Sequence, residues 1–526
     1  MGRPDKSVAA HVAIIGAGMG GLASAIRLAS AGCRVTLLDS APAAGGKMRT
    51  VDSPAGPVDA GPTVLTMRHQ FDALFALADA RMEDFVELVE EPLLARHWWL
   101  DGSSLDLFAD RDRSVEEVRR FAGTREAEAF RSFSERAQRL FTGFEAAMME
   151  SARPTLPAMT ATVLRSPALI GDMAPLSSLA RSLVRTFRDP RLRQLFGRYA
   201  TYVGGMPGLS PGVLQLIWHA EASGVWRVHG GMHKLAEALE DLAGKMGVDM
   251  RMGAHVTRVE IQDGRVSAVH TETGPKLRVD AAIFNGDPRA LRQGLLGAPL
   301  RDAVPETAVT PRSLSARVWA FAAETAGPEL VHHNVFFGED PEAEFGPILD
   351  GKPPSDPTLY ICAQDRGAGT APPALERFEI IENAAPTDQE TPEETDQCRT
   401  RVFNRLTEFG LTFTPRPDAS KVTTPAAFDR MFPASLGSLY GRSPHGMMAA
   451  FRRPTARTTI PGLYLAGGGA HPGAGIAMAA LSGRHAAEAI ARDLALPLLS
   501  RPTDMPGGTS TASRTMGLRP SRSSLL

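Results

Sequence analysis

The stretch His11-Val-Ala-Ile-Ile15-Gly16-Ala17-Gly18-Met19-Gly20-Gly21-Leu22 decides how this chain is read. Four apolar residues, Val12 to Ile15, run straight into a glycine-rich turn. A helical pattern follows, with Met19, Leu22, Ala23, Ala25, Ile26, Leu28 and Ala29 near one face, and Gly32 ends it as a C-terminal glycine. A second apolar run, Val35 to Leu38, stops at Asp39. Gly16 permits a tight turn, Gly18 lets the backbone approach a pyrophosphate, and Gly21 lets the helix pack against the sheet. The helix start at Ala17, Met19 and Gly20 offers free N–H groups and a positive dipole end. Asp39 stands where a carboxylate accepts bonds from ribose hydroxyls. A glycine motif alone is also an ordinary turn; here strand, helix and acid all occupy the places a dinucleotide site requires.

Two later segments separate FAD from NAD. Ala44-Gly45-Gly46-Lys47-Met48-Arg49 follows the acid, and Val58-Asp-Ala-Gly-Pro62-Thr63 comes soon after. The glycines allow a second close approach to the cofactor, and Lys47 and Arg49 can balance phosphate charge, although a solvated basic loop has the same composition. In this order after a Rossmann unit, the segment resembles the flavoprotein amine oxidase and carotenoid desaturase superfamily.

The 526 residues predict two to four domains, and 43% hydrophobic residues can fill a large core. A net charge of −2 excludes a strong global pull on nucleic acid. Cys33, Cys362 and Cys398 are too few and scattered for a disulfide framework, and the spacing of histidines and cysteines predicts no metal site. The first apolar run is broken by glycines and lacks a cleavage site, so it is not read as a signal peptide. Leu463 to Leu481 is weakly polar but carries five glycines, a proline and a histidine, which argues against a membrane span.

Along the chain, residues 70–144 read as mostly helical, with a hairpin around Asp101-Gly102. Leu176, Leu179, Leu183, Val184 and Phe187 predict one helical face, with Arg181, Arg185 and Arg188 off it and Arg191, Arg193 and Arg198 extending a basic run. Such a helix fits an anionic membrane surface, or equally a helix packed on its own domain. Gly230-Gly231 opens a helix, and strands follow at 248–252, 256–261 and 266–270; this part resembles the returning segment of such flavin domains, which implies that the strand near Val256 lies against the adenine. Ala281 to Phe284 reads as a strand that leaves through Asn285-Gly-Asp287. Val318–Phe321 and Thr358–Cys362 read as strands of a second sheet, and 373–394 as an exposed loop rich in proline, glutamate and threonine. Strand, glycine turn and helix recur at Leu463-Tyr-Leu-Ala-Gly467-Gly468-Gly-Ala-His471-Pro-Gly-Ala-Gly-Ile476-Ala477. Beyond Ser500 the composition predicts a disordered tail.

The dinucleotide fold, the Gly230-Gly231-Met232 helix and the Ala466-to-Gly473 segment, in that order, resemble the bacterial phytoene desaturase family. Four further stretches resemble its 1-hydroxycarotenoid 3,4-desaturase branch: 198–205, 216–221, 332–337 and 360–366. The resemblance implies an α/β Rossmann-type FAD-binding domain, amine oxidase-like, with an inserted α+β substrate domain. The flavin domain would span 8–70, 223–300 and 451–499, and the substrate domain 71–222 and 301–450. It implies FAD held by Gly16, Ala17, Gly18, Met19, Gly20, Gly21, Asp39, Gly45, Gly46, Lys47, Arg49, Pro62, Thr63, Val256, Gly467, Gly468, Ile476 and Ala477. Gly468 replaces the acid that many FAD proteins carry there, a departure shared with carotenoid desaturases. The resemblance further implies an acyclic carotenoid substrate in an apolar tunnel, a polar group near the tunnel's end for the 1-hydroxyl, and oxygen or a membrane quinone as electron acceptor. It also implies a cytoplasmic location at the periphery of the inner, photosynthetic membrane. His471 is a candidate base, with turn geometry as its alternative; no catalytic residue is assigned. A desaturase of the unhydroxylated chain, a flavin amine oxidase and a non-catalytic prenyl carrier remain open.

Overall fold

The computed structural model describes residues 9–367, 369 and 371–496; the tail read as disordered lies outside them. Its first sheet has five parallel strands in the order Leu463–Leu465, Ala281–Phe284, His11–Ile15, Arg34–Leu38, Asp249–Arg251. Three distant parts of the chain therefore build one sheet. Alternation sorts its side chains by face. Val12, Ile14, Val35 and Leu37 pack with the helices Met19–Ser30, His233–Lys245 and Ile476–Asp493. Ala13, Ile15, Leu38 and Ala282 point the other way, to a three-stranded antiparallel sheet formed by Val256–Gln262, Arg265–Thr271 and Leu277–Arg278. Parallel strands covered on both faces read as continuous apolar runs, which is how this unit was visible in the sequence.

The second sheet runs Thr412–Thr414, Ser315–Ala326, Glu376–Ala384, Leu359–Ala363, His333–Phe336, Leu93–Trp98, Ser104–Phe108, with Val422–Thr423 also paired to Ser315–Ala326. One face carries Trp319, Phe321, Phe336, Phe378 and Ile380 against the helix Pro392–Glu408. Residues of the other face, including Val318, Tyr360 and Ile381, line a cavity.

Three expectations need correction. The segment 373–394 is not an exposed loop: Glu376–Ala384 is an interior strand, paired on both sides. Its charges disguised it. Glu376 is held by Arg366, Arg377 by Asp365 and Glu382 by Arg401, so three of its four ions sit with partners, while Glu379 is buried with no hydrogen-bond partner among the described residues. The helix expected over 176–187 is shorter, Leu179–Thr186, since Leu176 has φ +63° and falls outside it. Leu179, Leu183 and Phe187 are buried, whereas Leu176 and Val184 are 87% and 57% exposed. Nor is the basic run continuous: Arg191 pairs with Asp101 and Asp189, and Arg198 is buried. Residues 70–144 are helical as expected around the Leu93–Phe108 hairpin, with one additional short strand, Leu88–Glu90.

Because Phe378 is fully buried in the strand misread as a loop, Phe378→Ala should cost about 3–5 kcal/mol of stability. Urea denaturation checks this; an unchanged midpoint would return the segment to the surface.

Candidate active site

The first strand delivers the chain to Gly16, whose φ of +106° turns it sharply. The Gly16 N–H bonds Leu38 O, and Asp39 accepts from the N–H groups of Ala17 at 2.6 Å and Ala41 at 2.8 Å. Asp39 thus ties the turn to the second strand while still lining the cavity. The helix Met19–Ser30 begins at Gly18 with no side-chain cap, so its first N–H groups are left for something else. A Cβ on Gly21 would lie 2.0 Å from Gly16 O, which only glycine tolerates. Gly45 N–H bonds Ala17 O, and a Cβ on Gly46 would lie 3.1 Å from Gly18 Cα, so the two glycine loops face each other.

The C-terminal strand repeats the device. Gly467, with φ +96°, follows Leu463–Leu465, and its N–H bonds Ser482 Oγ at 2.7 Å. The helix Ile476–Asp493 starts at Gly475, again without a side-chain cap. The two turns touch: a Cβ on Gly20 would lie 2.5 Å from Gly467 N. Asn285 fills the junction, donating from Nδ2 to Gly16 O at 3.0 Å while its Oδ1 is buried without a partner. The sequence reading passed over Asn285 as part of a turn; its place after the third parallel strand was the available signal.

Of the other expected site residues, Pro62, Thr63, Val256, Gly468, Ile476 and Ala477 also line this cavity, whereas Ala17 and Gly21 lie outside its lining. Lys47 and Arg49 follow the second glycine loop. Both line the cavity, but the Lys47 ammonium donates to Leu439 O and lies 5.1 Å from the Phe432 ring centre, and the Arg49 guanidinium bonds Thr423 Oγ1 and lies near Phe428. These side chains reach the second sheet's side, and burial pushes Lys47 down to about 8. Arg453, unnoticed in the sequence, donates to Gly468 O at 2.7 Å and to Tyr440 O at 2.9 Å. It steadies the position where other FAD proteins place an acid. His471 lies 2.8 Å from Ser151 O through Nε2, and burial pushes it down to about 4, so at neutral pH it is a neutral ring donating to that carbonyl. That bond fits a structural role in the turn.

Sequence spacing predicted no metal-type cluster, yet strand pairing of His333 with Cys362 brings ligand atoms of His332, His333 and Cys362 within 4.8 Å. Both rings already have partners: His332 Nδ1 lies 3.0 Å from Arg366 O, and His333 Nδ1 lies 2.7 Å from Tyr360 Oη.

The cavity has a volume of about 1670 Å³ and runs from Gly18 past Thr63 to Met159, Met173, Met447 and Met448. That exceeds the usual range of about 300–1,000 Å³ for one small-molecule site.

The profile of flavin containing amine oxidoreductases matches residues 19–491. The chain is 56% identical over 490 residues to a hydroxyneurosporene desaturase of Cereibacter sphaeroides, covering 93% of this chain and 99% of that one. It is 52% identical over 482 residues to one of Rhodobacter capsulatus, covering 92% and 98%. Among solved structures, cyclohexylamine oxidase of Brevibacterium oxydans aligns over 93% of this chain and 100% of its own, with TM-score 0.56 and 17% identity, a likeness of fold. The residues present fit FAD: opposed glycines leave a cradle that a Cβ would fill, two uncapped helix starts supply donors, and Asp39 stands at the second strand's end. Asn285→Ala should weaken FAD binding about tenfold by freeing the two glycine turns. Fluorescence titration of the apoprotein checks this, and unchanged affinity would remove Asn285 from the cradle. The chain belongs to the flavin-containing amine oxidoreductase family, as an FAD-dependent oxidoreductase of the phytoene desaturase type.

Proposed function

We propose that this chain desaturates the C3–C4 bond of acyclic 1-hydroxy or 1-methoxy carotenoids. The observation that carries the reading is one continuous cavity, large enough for cofactor and polyene together, in a chain more than half identical to hydroxyneurosporene desaturases. FAD, when bound, supplies a two-electron acceptor for the hydride; a proton leaves separately, and oxygen or a membrane quinone takes the electrons onward. The chain's own task is placement. The turns at Gly16–Gly21 and Gly467–Ala477 hold the dinucleotide, and the loop Gly61–Thr63 stands beside it. Apolar walls such as Phe141, Ile217, Val318 and Ile381 exclude water and align an extended hydrocarbon.

The cavity opens among exposed apolar side chains. Met447 and Met448 both line it and face solvent, and Leu156, Leu164, Ile170 and Leu176 are also exposed, with the Leu176 N–H 3.2 Å from Met447 Sδ. Arg153, Arg165, Arg181 and Arg185 are exposed in the same part of the chain. No described helix is long and apolar enough to cross a membrane. This surface supports peripheral docking, with the mouth facing the lipid that dissolves the substrate.

Turnover of hydroxyneurosporene by the FAD-loaded protein should give a product two hydrogens lighter, absorbing at longer wavelength because the new bond joins the polyene. A product desaturated elsewhere, or no turnover, would contradict the reading. Replacing Leu164 and Leu176 together by Asp should lower sedimentation with anionic vesicles roughly tenfold or more, with the flavin spectrum unchanged. Equal binding would move the docking surface elsewhere.

A further inference from the structure

The four stretches that carried the resemblance to the 3,4-desaturase branch lie far apart in sequence, and the redox step uses none of them. The fold brings polar side chains from all four together. Arg198, Tyr199 and Tyr202 come from the turn 198–203, Glu221 from the helix Leu216–Ala222, and His333 and Tyr360 from neighbouring strands. Tyr199 Oη donates to Glu221 Oε1 at 2.8 Å. The Arg198 guanidinium lies 4.8 Å from the Tyr202 ring centre, and its Nε and Nη2 are buried without an acceptor. His333 Nδ1 lies 2.7 Å from Tyr360 Oη, which donates to Thr63 Oγ1 at 2.7 Å. Tyr202, Tyr360 and Val64 pack on one apolar cluster, so the assembly stands beside the loop that carries Thr63.

Arg198, Tyr202, Glu221 and Tyr360 line the cavity, amid neighbours such as Val64, Phe141, Val213 and Ile217. A polar island in an apolar wall must be matched by its ligand, or its buried groups stay unpaired. Arg198 and Glu221 offset each other's charge, so the island suits neither a cation nor an anion. It offers free donors on Arg198, beside a Tyr202 hydroxyl that bonds Glu221, whose carboxyl burial pushes up against the opposing pull of Arg198. A neutral oxygen that donates and accepts, an alcohol, satisfies that set; an ether satisfies the donors.

We propose that Tyr202 and Glu221, backed by Arg198, bind the oxygen at C1 of the substrate and so select the hydroxylated chain. The inference rests on the C3–C4 reading. Three bonds separate that oxygen from C3, and C3–C4 must come within roughly 3–3.5 Å of the hydride acceptor. The oxygen site therefore belongs next to the flavin loop, where the island lies, and not at the tunnel's far end. A hydrocarbon end placed there leaves the buried Arg198 Nε and Nη2 without an acceptor, the arrangement that gives polar sites their strongest discrimination.

The test compares kcat/KM for hydroxyneurosporene and neurosporene in the holoenzyme, Tyr202→Phe and Glu221→Gln, with flavin content read from absorbance. The wild type should prefer hydroxyneurosporene, and Tyr202→Phe should reduce that preference roughly ten- to hundredfold while activity on neurosporene persists. An unchanged preference in flavin-loaded Tyr202→Phe overturns the inference and leaves the C3–C4 reading standing. An equal loss on both substrates assigns the residues a structural role and also overturns it. A wild type that prefers neurosporene overturns both together. Should Glu221→Gln fail to retain flavin, Tyr202→Phe decides, because it removes a single oxygen.

Discussion

The contact between the two glycine turns is the constraint on which the rest of the molecule depends. Gly20 and Gly467 meet at a distance that leaves no room for a side chain, and Asn285 bonds across the junction to Gly16. Gly483 adds to it, since a Cβ there would lie 2.5 Å from Gly20 O. These contacts press the helices Met19–Ser30 and Ile476–Asp493 together, so the two helix starts open into one cavity. Donors and dipoles fixed in this way need no rearrangement when an anionic cofactor arrives.

The second sheet supplies the opposite quality. Its cavity-facing side is largely apolar, with Ala316, Val318 and Ile381, and its other side is anchored by the core around Trp319 and Phe403. Polar side chains stand within the cavity lining, among them Ser315, Asn383, Arg198, Tyr202, Glu221 and Tyr360, the last joining His333 to Thr63. In a site that excludes water, one hydrogen-bonding patch weighs more on substrate choice than a large apolar area, because a missing partner there is not replaced by solvent.

The flavin-binding unit was legible because its signals are local: an apolar run, glycines at fixed offsets, a helical face and Asp39 fall within residues 11–39. The strand Glu376–Ala384 was not, since its charges look solvated until Arg366, Asp365 and Arg401 arrive from elsewhere. Arg198 was counted in a basic run for the same reason: sequence shows its charge but not its burial beside Tyr202. Lys47 and Arg49 were read as able to balance phosphate charge, and the sequence does not show that their side chains bond Leu439 and Thr423, residues almost 400 positions away. Asn285 and Arg453 carry no motif, and only packing between distant segments shows what they hold.

The central claim is that one cavity holds the flavin and an extended hydroxylated chain in fixed register. A crystal structure of the FAD-loaded protein with hydroxyneurosporene, kept anaerobic, tests it most directly. The account predicts C3–C4 within about 3.5 Å of flavin N5 and the C1 oxygen against Tyr202 and Glu221. A chain bound with its oxygen at the methionine-lined mouth, or outside this cavity, would contradict it.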